Sequence, residues 1–177
     1  PMEANLTNDQ MRLAAELGYL EFIETGTTTV IDHLSVSHAD TAIEAAGEMG
    51  MRARLGKVMM DQRSPDGLLE DTQTALEDTE RLIKKYHDTY DGRIQYAVTP
   101  RFAVSCTEEC LRGSRELADK YDGVRIHTHA SENQDEIKTV EEDTGMRNIH
   151  WLDEVGLTGE DVILAHVIWT DETERDI

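Results

Sequence analysis

The sequence is poor in cysteine and has no long apolar run, and each shortage excludes a class of protein. Its two cysteines, Cys106 and Cys110, match the spacing of neither a C-x-x-C redox pair nor a zinc ribbon, and two thiols make no disulfide framework. No apolar run approaches the roughly 18 residues of a membrane span, and the N-terminus lacks the basic-then-apolar order of a signal peptide. A reduced, soluble, cytoplasmic protein is predicted.

Basic residues are also scarce. The chain has 17 Lys+Arg against 37 Asp+Glu, a formal net charge of −20. Such a chain is repelled by polynucleotides and by anionic membranes, so neither is expected as a partner. The acidic residues occur on nearly every predicted helix, which indicates a solvated acidic surface and not a disordered tail. Adaptation to a salt-rich cytoplasm is one hypothesis for this surface.

The length of the chain limits its architecture. A chain of 177 residues is long enough for one buried core, so residues 1–177 are interpreted as a single domain. A complete (β/α)₈ barrel needs about 250 residues, so the chain is too short for one.

Hydrophobic periodicity predicts that strands and helices alternate from end to end. Because strands separated by helices form parallel sheets, the pattern predicts an α/β fold, either a barrel or a doubly wound open sheet. No dinucleotide-binding G-x-G-x-x-G or P-loop follows a strand. Five βα units would leave a barrel about three strands short. The predicted strands are 27–32, 54–60, 94–99, 124–130 and 162–168, and the long helix of the middle region is predicted over 68–90.

Two predicted strands end in histidines, at the edge where parallel α/β folds collect their functional residues. His129 ends one strand and Glu132 follows in its loop, while His166 ends the next strand. Neutral imidazoles there can hold a divalent ion that lowers the pKa of water, and a carboxylate can transfer the proton to a leaving group. The alternative is that each histidine is an ordinary hydrogen-bonded core residue. Two strand ends together with one acid favour a site.

Two further histidines have open interpretations. His127 has the strand spacing to chelate with His129, but an interior wall position is the favoured interpretation. His33 closes the first predicted strand and could face the same opening.

The loop after the third predicted strand carries Arg101 and Phe102. An arginine there can offer fork-shaped donors to a ring carbonyl and nitrogen, and a phenylalanine can stack on a planar base. The alternative for Arg101 is a surface ion pair with one of the many carboxylates.

Taken together, these segments resemble guanine deaminases of the amidohydrolase superfamily in order and spacing. The specific part is R-F-x-x-S-C followed by H-x-S-E-N. The resemblance implies an incomplete TIM-type (β/α) barrel, about strands 2 to 6 of the eight. The matching segments are Gly26–Thr29, Arg54–Asp61, Thr99–Cys106, His129–Glu136 and Leu164–His166.

The resemblance also implies roles for individual residues. His129 would be a metal ligand from the fifth barrel strand, Glu132 the proton shuttle, and His166 the residue that orients water or substrate. Arg101 and Phe102 would hold the purine. The implied cofactor is a divalent metal, zinc or alternatively iron, and the implied reaction is hydrolytic deamination of guanine to xanthine and ammonia, a step of purine catabolism.

One departure from the superfamily pattern is large. The H-x-H pair of the first barrel strand and the aspartate of the eighth fall outside this sequence, so one of four expected ligands is present. We therefore expect an internal fragment of a longer enzyme, inactive alone. Two alternatives are a deaminase or hydrolase of another aminated heterocycle (an adenosine derivative, a pterin or a triazine) and a catalytically silent assembly module. Open sheet edges, which favour association, support the module alternative. A homo-oligomer is expected.

Overall fold

Helices and parallel strands alternate in the computed structural model, which describes residues 2–177. The strands are β1 (Val30–His33), β2 (Ala53–Gly56), β3 (Val58–Met59), β4 (Ile94–Pro100), β5 (Arg125–Ala130) and β6 (Val162–His166). The α-helices are α1 (Asn8–Glu24), α2 (Ala39–Glu48), α3 (Thr72–Tyr86), α4 (Glu108–Lys120), α5 (Gln134–Thr144) and α6 (Asn148–Glu154). Short 3₁₀ helices lie at Glu3–Asn5, Asp66–Leu68 and Glu174–Asp176.

Side-chain caps fix where several helices begin. Thr7 and Gln10 form a reciprocal capping box at the start of α1, in which the Thr7 hydroxyl accepts from the Gln10 amide and the Gln10 side chain accepts from the Thr7 amide. Each such bond satisfies a backbone donor that has no partner inside the helix. Asp71, Thr107 and Asn133 cap α3, α4 and α5.

The strands form one parallel sheet in the order β1-β2-β4-β5-β6. The two-residue strand β3 continues the line of β2 and pairs with β4. Within residues 2–177, β1 and β6 each have a strand neighbour on one side only. The sheet is therefore an open half-barrel, as an incomplete TIM-type barrel requires.

The core lies between the sheet and its helices. Alternate residues of the strands point toward the helices, and those of β2, β4 and β5 are almost fully buried, such as Leu55, Tyr96 and Ile126. They pack with Leu82 of α3 and Leu111 of α4 in one apolar cluster. This layer fixes the strands and hence the positions of the residues at their carboxyl ends.

The sheet curls strongly, and two histidines measure the curvature. Strands β2 and β4 separate β1 from β5, so a flat sheet would hold those two strands roughly 14 Å apart, at about 4.8 Å per strand. The imidazole centroids of His33 on β1 and His127 on β5 are nevertheless 4.3 Å apart. Side chains on the inner face of the sheet therefore converge, as in the wall of a barrel.

Several element boundaries differ from the sequence prediction. The first strand, predicted over 27–32, covers Val30–His33. The predicted strand 54–60 is split at Lys57, whose backbone N–H donates to the Tyr96 hydroxyl at 3.1 Å instead of to a strand carbonyl. The predicted helix 68–90 is shorter, because α3 begins only after the Asp71 cap and ends at Tyr86. The last strand stops at His166, where a positive φ of 70° turns the chain.

No α-helix in residues 2–177 combines the length and the apolar character that crossing a membrane requires.

Candidate active site at the carboxyl ends of the strands

Four histidines meet at the carboxyl end of the half-barrel. The ring of His129 lies 4.5 Å from that of His33 and 5.4 Å from that of His166, measured between centroids, and 6.3 Å from that of His127. His129 is thus the centre of the group. The structure brings the two predicted strand-end histidines, His129 and His166, side by side with nearly parallel rings.

The hydrogen bonds of His129 define its tautomer. Its Nδ1 lies 2.8 Å from the carbonyl oxygen of Arg101, and because a carbonyl can only accept, Nδ1 carries the proton. The Nε2 lone pair is then available to a ligand. A metal-binding histidine is commonly oriented by such a bond from its other ring nitrogen.

Glu132 and His166 face each other across the loop after β5. The Oε1 atom of Glu132 is 3.8 Å from Nε2 of His166, and both side chains are substantially exposed. The turns that carry them have left-handed backbone, with φ of 50° at Ser131, 70° at His166 and 51° at Val167. Non-glycine residues adopt this conformation at a cost, and it is concentrated at functional sites.

His33 and His127 lie deeper in the inner wall. Both ring nitrogens of His33 and Nδ1 of His127 are buried without a hydrogen-bond partner in residues 2–177. Burial lowers the pKa of His33 to about 2 and that of His127 to about 4, with further lowering from neighbouring histidines. Both rings are therefore neutral near pH 7. The wall position is the favoured sequence interpretation of His127, which is 8% exposed.

Arg101 and Phe102 follow β4 next to His129. The guanidinium carbon of Arg101 lies 5.3 Å from the Phe102 ring centroid, and one terminal nitrogen is 3.4 Å from Sδ of Met60. Phe102 forms an isolated bridge with His129. In the described part of the chain, no carboxylate oxygen comes within the 4.0 Å of an ion pair to Arg101, so the surface ion pair considered from sequence is not formed there. Apart from the contact with Met60, the exposed guanidinium has no acidic side chain as a partner within residues 2–177.

Among the clustered histidines, one side chain is oriented as a metal ligand. Nε2 of His129 is the one oriented imidazole lone pair shown above. Within residues 2–177, the three potential ligand atoms that lie within 4.8 Å of one another belong instead to Asp61, Cys106 and Cys110. That group has a structural explanation, because the Asp61 carboxylate already accepts from the hydroxyls of Thr72 and Thr107 and from the Thr107 amide. The histidine cluster therefore fits part of a metal site.

Sequence reasoning missed two contributors to this region. The first is the Arg101 carbonyl, a backbone group that no residue type marks. The second is Glu136, which is 4% exposed and accepts from the backbone N–H groups of Ser131 and Glu132. In the sequence it ends the family-like segment His129–Glu136, and it stands next to Ile137 on the buried face of α5.

Comparisons with known proteins place the whole chain in one family. The sequence profile of the Amidohydrolase family matches residues 2–177. A 5'-deoxyadenosine deaminase from Methanopyrus kandleri is 35% identical over 177 residues, which is 100% of this chain and 39% of that protein. The chain thus spans about two fifths of the length of the curated relatives it matches.

Solved structures show the same fold. Guanine deaminase from C. acetobutylicum, with guanine bound in its active site, has a TM-score of 0.91 and 32% identity, covering 98% of this chain and 42% of that one. Atrazine chlorohydrolase from Arthrobacter aurescens, complexed with zinc, has a TM-score of 0.88 and 26% identity, covering 96% of this chain and 40% of that one. With the profile match over residues 2–177, these similarities show that the chain belongs to the amidohydrolase family.

Proposed function

We propose that the protein carrying this chain hydrolyses the exocyclic C–N bond of guanine, consuming water and releasing xanthine and ammonia. The choice of guanine as substrate rests on the pair Arg101 and Phe102, which lies beside His129 at the carboxyl ends of the strands. Guanine presents two acceptors on one edge, the carbonyl oxygen O6 and the ring nitrogen N7, which a guanidinium fork can bind together. Phe102 offers a ring face for stacking on the planar base.

His129 is proposed as one ligand of a divalent metal, with zinc preferred and iron as the alternative. The bond from its Nδ1 to the Arg101 carbonyl holds the ring so that Nε2 is the nitrogen left to bind the ion. A divalent ion bound there supplies Lewis acidity, which lowers the pKa of water. One imidazole alone does not make a complete site, since catalytic zinc uses about three protein ligands. The remaining ligands are proposed to come from the rest of the protein.

Glu132 is proposed as the group that moves protons. Its carboxylate accepts the proton of the attacking water and returns it to the departing amino group, so that ammonia leaves neutral and the carboxylate is regenerated. His166 lies 3.8 Å from Oε1 of Glu132, close enough to tighten to a hydrogen bond when water or substrate occupies the opening. His166 thereby orients the reacting groups without itself needing to bind the metal.

A second candidate substrate is an adenosine derivative. The relative that is 35% identical over the full chain is a 5'-deoxyadenosine deaminase. An adenine ring lacks the carbonyl that the Arg101 fork is proposed to bind, so the two candidates make different demands on Arg101. The guanine proposal requires its guanidinium, whereas adenine deamination does not.

The test is ammonia release by the complete, metal-loaded protein. Guanine and 5'-deoxyadenosine are supplied separately, and metal is quantified by mass spectrometry; the Glu132→Gln variant is the inactive control. Ammonia from guanine, with about one metal per chain, supports the proposal. Ammonia from 5'-deoxyadenosine alone would overturn the substrate, and the absence of both bound metal and ammonia release would favour the non-catalytic module.

Its cellular setting is part of the same proposal. We propose a cytoplasmic enzyme of purine catabolism that acts on small purine-like substrates and works as a homo-oligomer. Its acidic charge of −20 supports the absence of nucleic-acid partners.

A further inference from the structure

A buried carboxylate stands directly behind the loop that carries Glu132. Glu136 lies in the first turn of α5 and is 4% exposed. Its Oε2 accepts from the Glu132 amide at 2.8 Å, and its Oε1 accepts from the Ser131 amide at 3.1 Å and from the side-chain amide of Asn148 at 2.9 Å. The carboxylate therefore joins the catalytic loop to α6.

The partners of Glu136 require an acceptor on both oxygens. All three bonds are donated to it by neutral N–H groups, and no cation within residues 2–177 forms an ion pair with it. A carboxylate is the side chain that accepts on two oxygens at once, whereas an amide offers one oxygen and one NH₂ group. The positive end of the α5 helix dipole favours the charge at this position.

Ser131 connects this carboxylate to the second half of the site. Its N–H donates to Glu136, while its carbonyl accepts from the amides of Ile168 and Trp169 at 3.1 and 3.0 Å. Those residues follow His166 by two and three positions. One left-handed residue, with φ of 50°, therefore ties the Glu132 loop to the loop after His166.

We propose that Glu136 is a positioning residue: by accepting from two consecutive amides, its carboxylate holds the Ser131–Glu132 backbone so that the Glu132 side chain stays opposite His166. The consequence for catalysis rests on the function proposed above. A displacement of about 1 Å in a reacting group can cost about 100-fold in rate, so the loss of this support acts on turnover more than on binding.

The first test is Glu136→Gln in the complete protein. The substituted amide has nearly the same shape, but wherever its NH₂ group points, it opposes either the Ser131 or the Glu132 donor. We expect kcat for guanine to fall about 10- to 100-fold, with KM changed less than about 3-fold and metal content unchanged. Asp135→Asn is the matched control, because it removes the same charge from the same helix turn at an exposed residue. Equal kcat in Glu136→Gln and wild type would overturn the proposal.

The second test does not depend on turnover. Amide hydrogen exchange, measured on peptides that cover residues 130–133, should be faster in Glu136→Gln than in wild type and unchanged in Asp135→Asn. Unchanged exchange in Glu136→Gln would overturn the positioning role even if activity fell. If the two variants differ from wild type in exchange as expected but wild type releases no ammonia, the proposed function is overturned. The backbone support by Glu136 then still stands.

A milder variant covers the case in which Glu136→Gln does not fold. Glu136→Asp keeps the charge but shortens the side chain by one methylene, which sets both oxygens back from the Ser131 and Glu132 amides. We expect a kcat loss smaller than about 10-fold and faster exchange at residues 130–133. Wild-type values for both would overturn the proposal.

Discussion

The imidazole of His129 donates from Nδ1 to the carbonyl oxygen of Arg101 at 2.8 Å, and the backbone N–H of His129 donates to the same oxygen at 3.0 Å. One residue thus serves the site twice. Its backbone carbonyl orients the His129 ring, while its guanidinium lies over the Phe102 ring and beside Met60. These two contributions can be separated by mutation, because a side-chain substitution leaves the carbonyl in place.

Replacement of Arg101 by alanine in the complete protein should impair substrate binding and spare metal binding. Hydrogen bonds from a charged donor contribute about 1.5–3 kcal/mol, so KM for guanine should rise about 10- to 100-fold. Metal per chain should stay at the wild-type value. Steady-state kinetics and metal analysis measure the two effects. Arg52→Ala, an exposed arginine, is the control, and unchanged KM in Arg101→Ala would remove the basis for choosing guanine.

Replacement of Glu132 by glutamine should abolish turnover and spare binding. The amide keeps the size of the side chain but cannot accept the water proton, and general acid–base catalysis contributes about 10²- to 10⁴-fold. We expect kcat to fall by that factor, with the Kd for guanine within about 3-fold of wild type by calorimetry. Glu142→Gln removes an exposed carboxylate from α5 and should be fully active. More than about a tenth of wild-type kcat in Glu132→Gln would contradict the role.

The grouping of functional residues at the strand ends could be predicted, because each strand and the residue that ends it are recognisable from nearby sequence. Alternating strands and helices predict parallel strands, and the carboxyl ends of parallel strands meet at one edge. From that rule alone, His129, His166 and Glu132 were expected near one another, and the structure places them so. The caps of α4 and α5, Thr107 and Asn133, are likewise local features of the sequence.

Contacts that depend on curvature or on backbone groups left no mark in the sequence. His33 reaches His127 across two intervening strands only because the sheet curls, and a residue pattern does not encode how strongly it curls. The acceptor at Arg101 is a backbone carbonyl, which every residue type has, so the sequence does not mark it. Lys57 interrupts a strand because of a hydroxyl that lies 39 positions away, on Tyr96. These features require the tertiary structure.

An ion pair to the buried Lys57 should make Glu70 important for stability. Nζ of Lys57, which is 2% exposed, lies 2.5 Å from Oε2 of Glu70. Removing one partner of a buried pair leaves an uncompensated charge and costs about 3–5 kcal/mol, whereas replacing both by apolar residues is about neutral. Urea unfolding should therefore show a large loss for Glu70→Ala and recovery in Lys57→Met/Glu70→Ala. The exposed Asp91→Asn is the control, and equal losses in the single and double variants would contradict this account.

Acid sensitivity should depend on Asp40, which joins α2 to α3. Its carboxylate accepts from Arg81, Lys85 and Tyr86, and the Arg81 guanidinium above all holds the pKa of Asp40 well below its usual range. A carboxyl whose pKa is depressed by folding adds stability above its unfolded pKa of about 3.9, and that stability is lost as the pH falls toward the folded value. Asp40→Asn should lower Tm at pH 7, and the difference from wild type should shrink below about pH 4. A constant difference from pH 7 to pH 3 would contradict this linkage.

Salt should stabilise the fold, because the acidic surface lacks enough cations to neutralise it. With 37 acidic and 17 basic side chains, at least 20 carboxylates have no basic residue of their own, and their mutual repulsion opposes the compact state. The Debye length falls from about 10 Å at 0.1 M salt to about 3 Å at 1 M, so molar KCl screens most of this repulsion. We expect Tm of the complete protein to rise between dilute buffer and 2 M KCl, and to rise less in sucrose of equal osmolality, which excludes volume but carries no charge. An equal Tm in dilute buffer and in 2 M KCl would count against adaptation to a salt-rich cytoplasm, because the repulsion inferred from the sequence would then have no effect on folding.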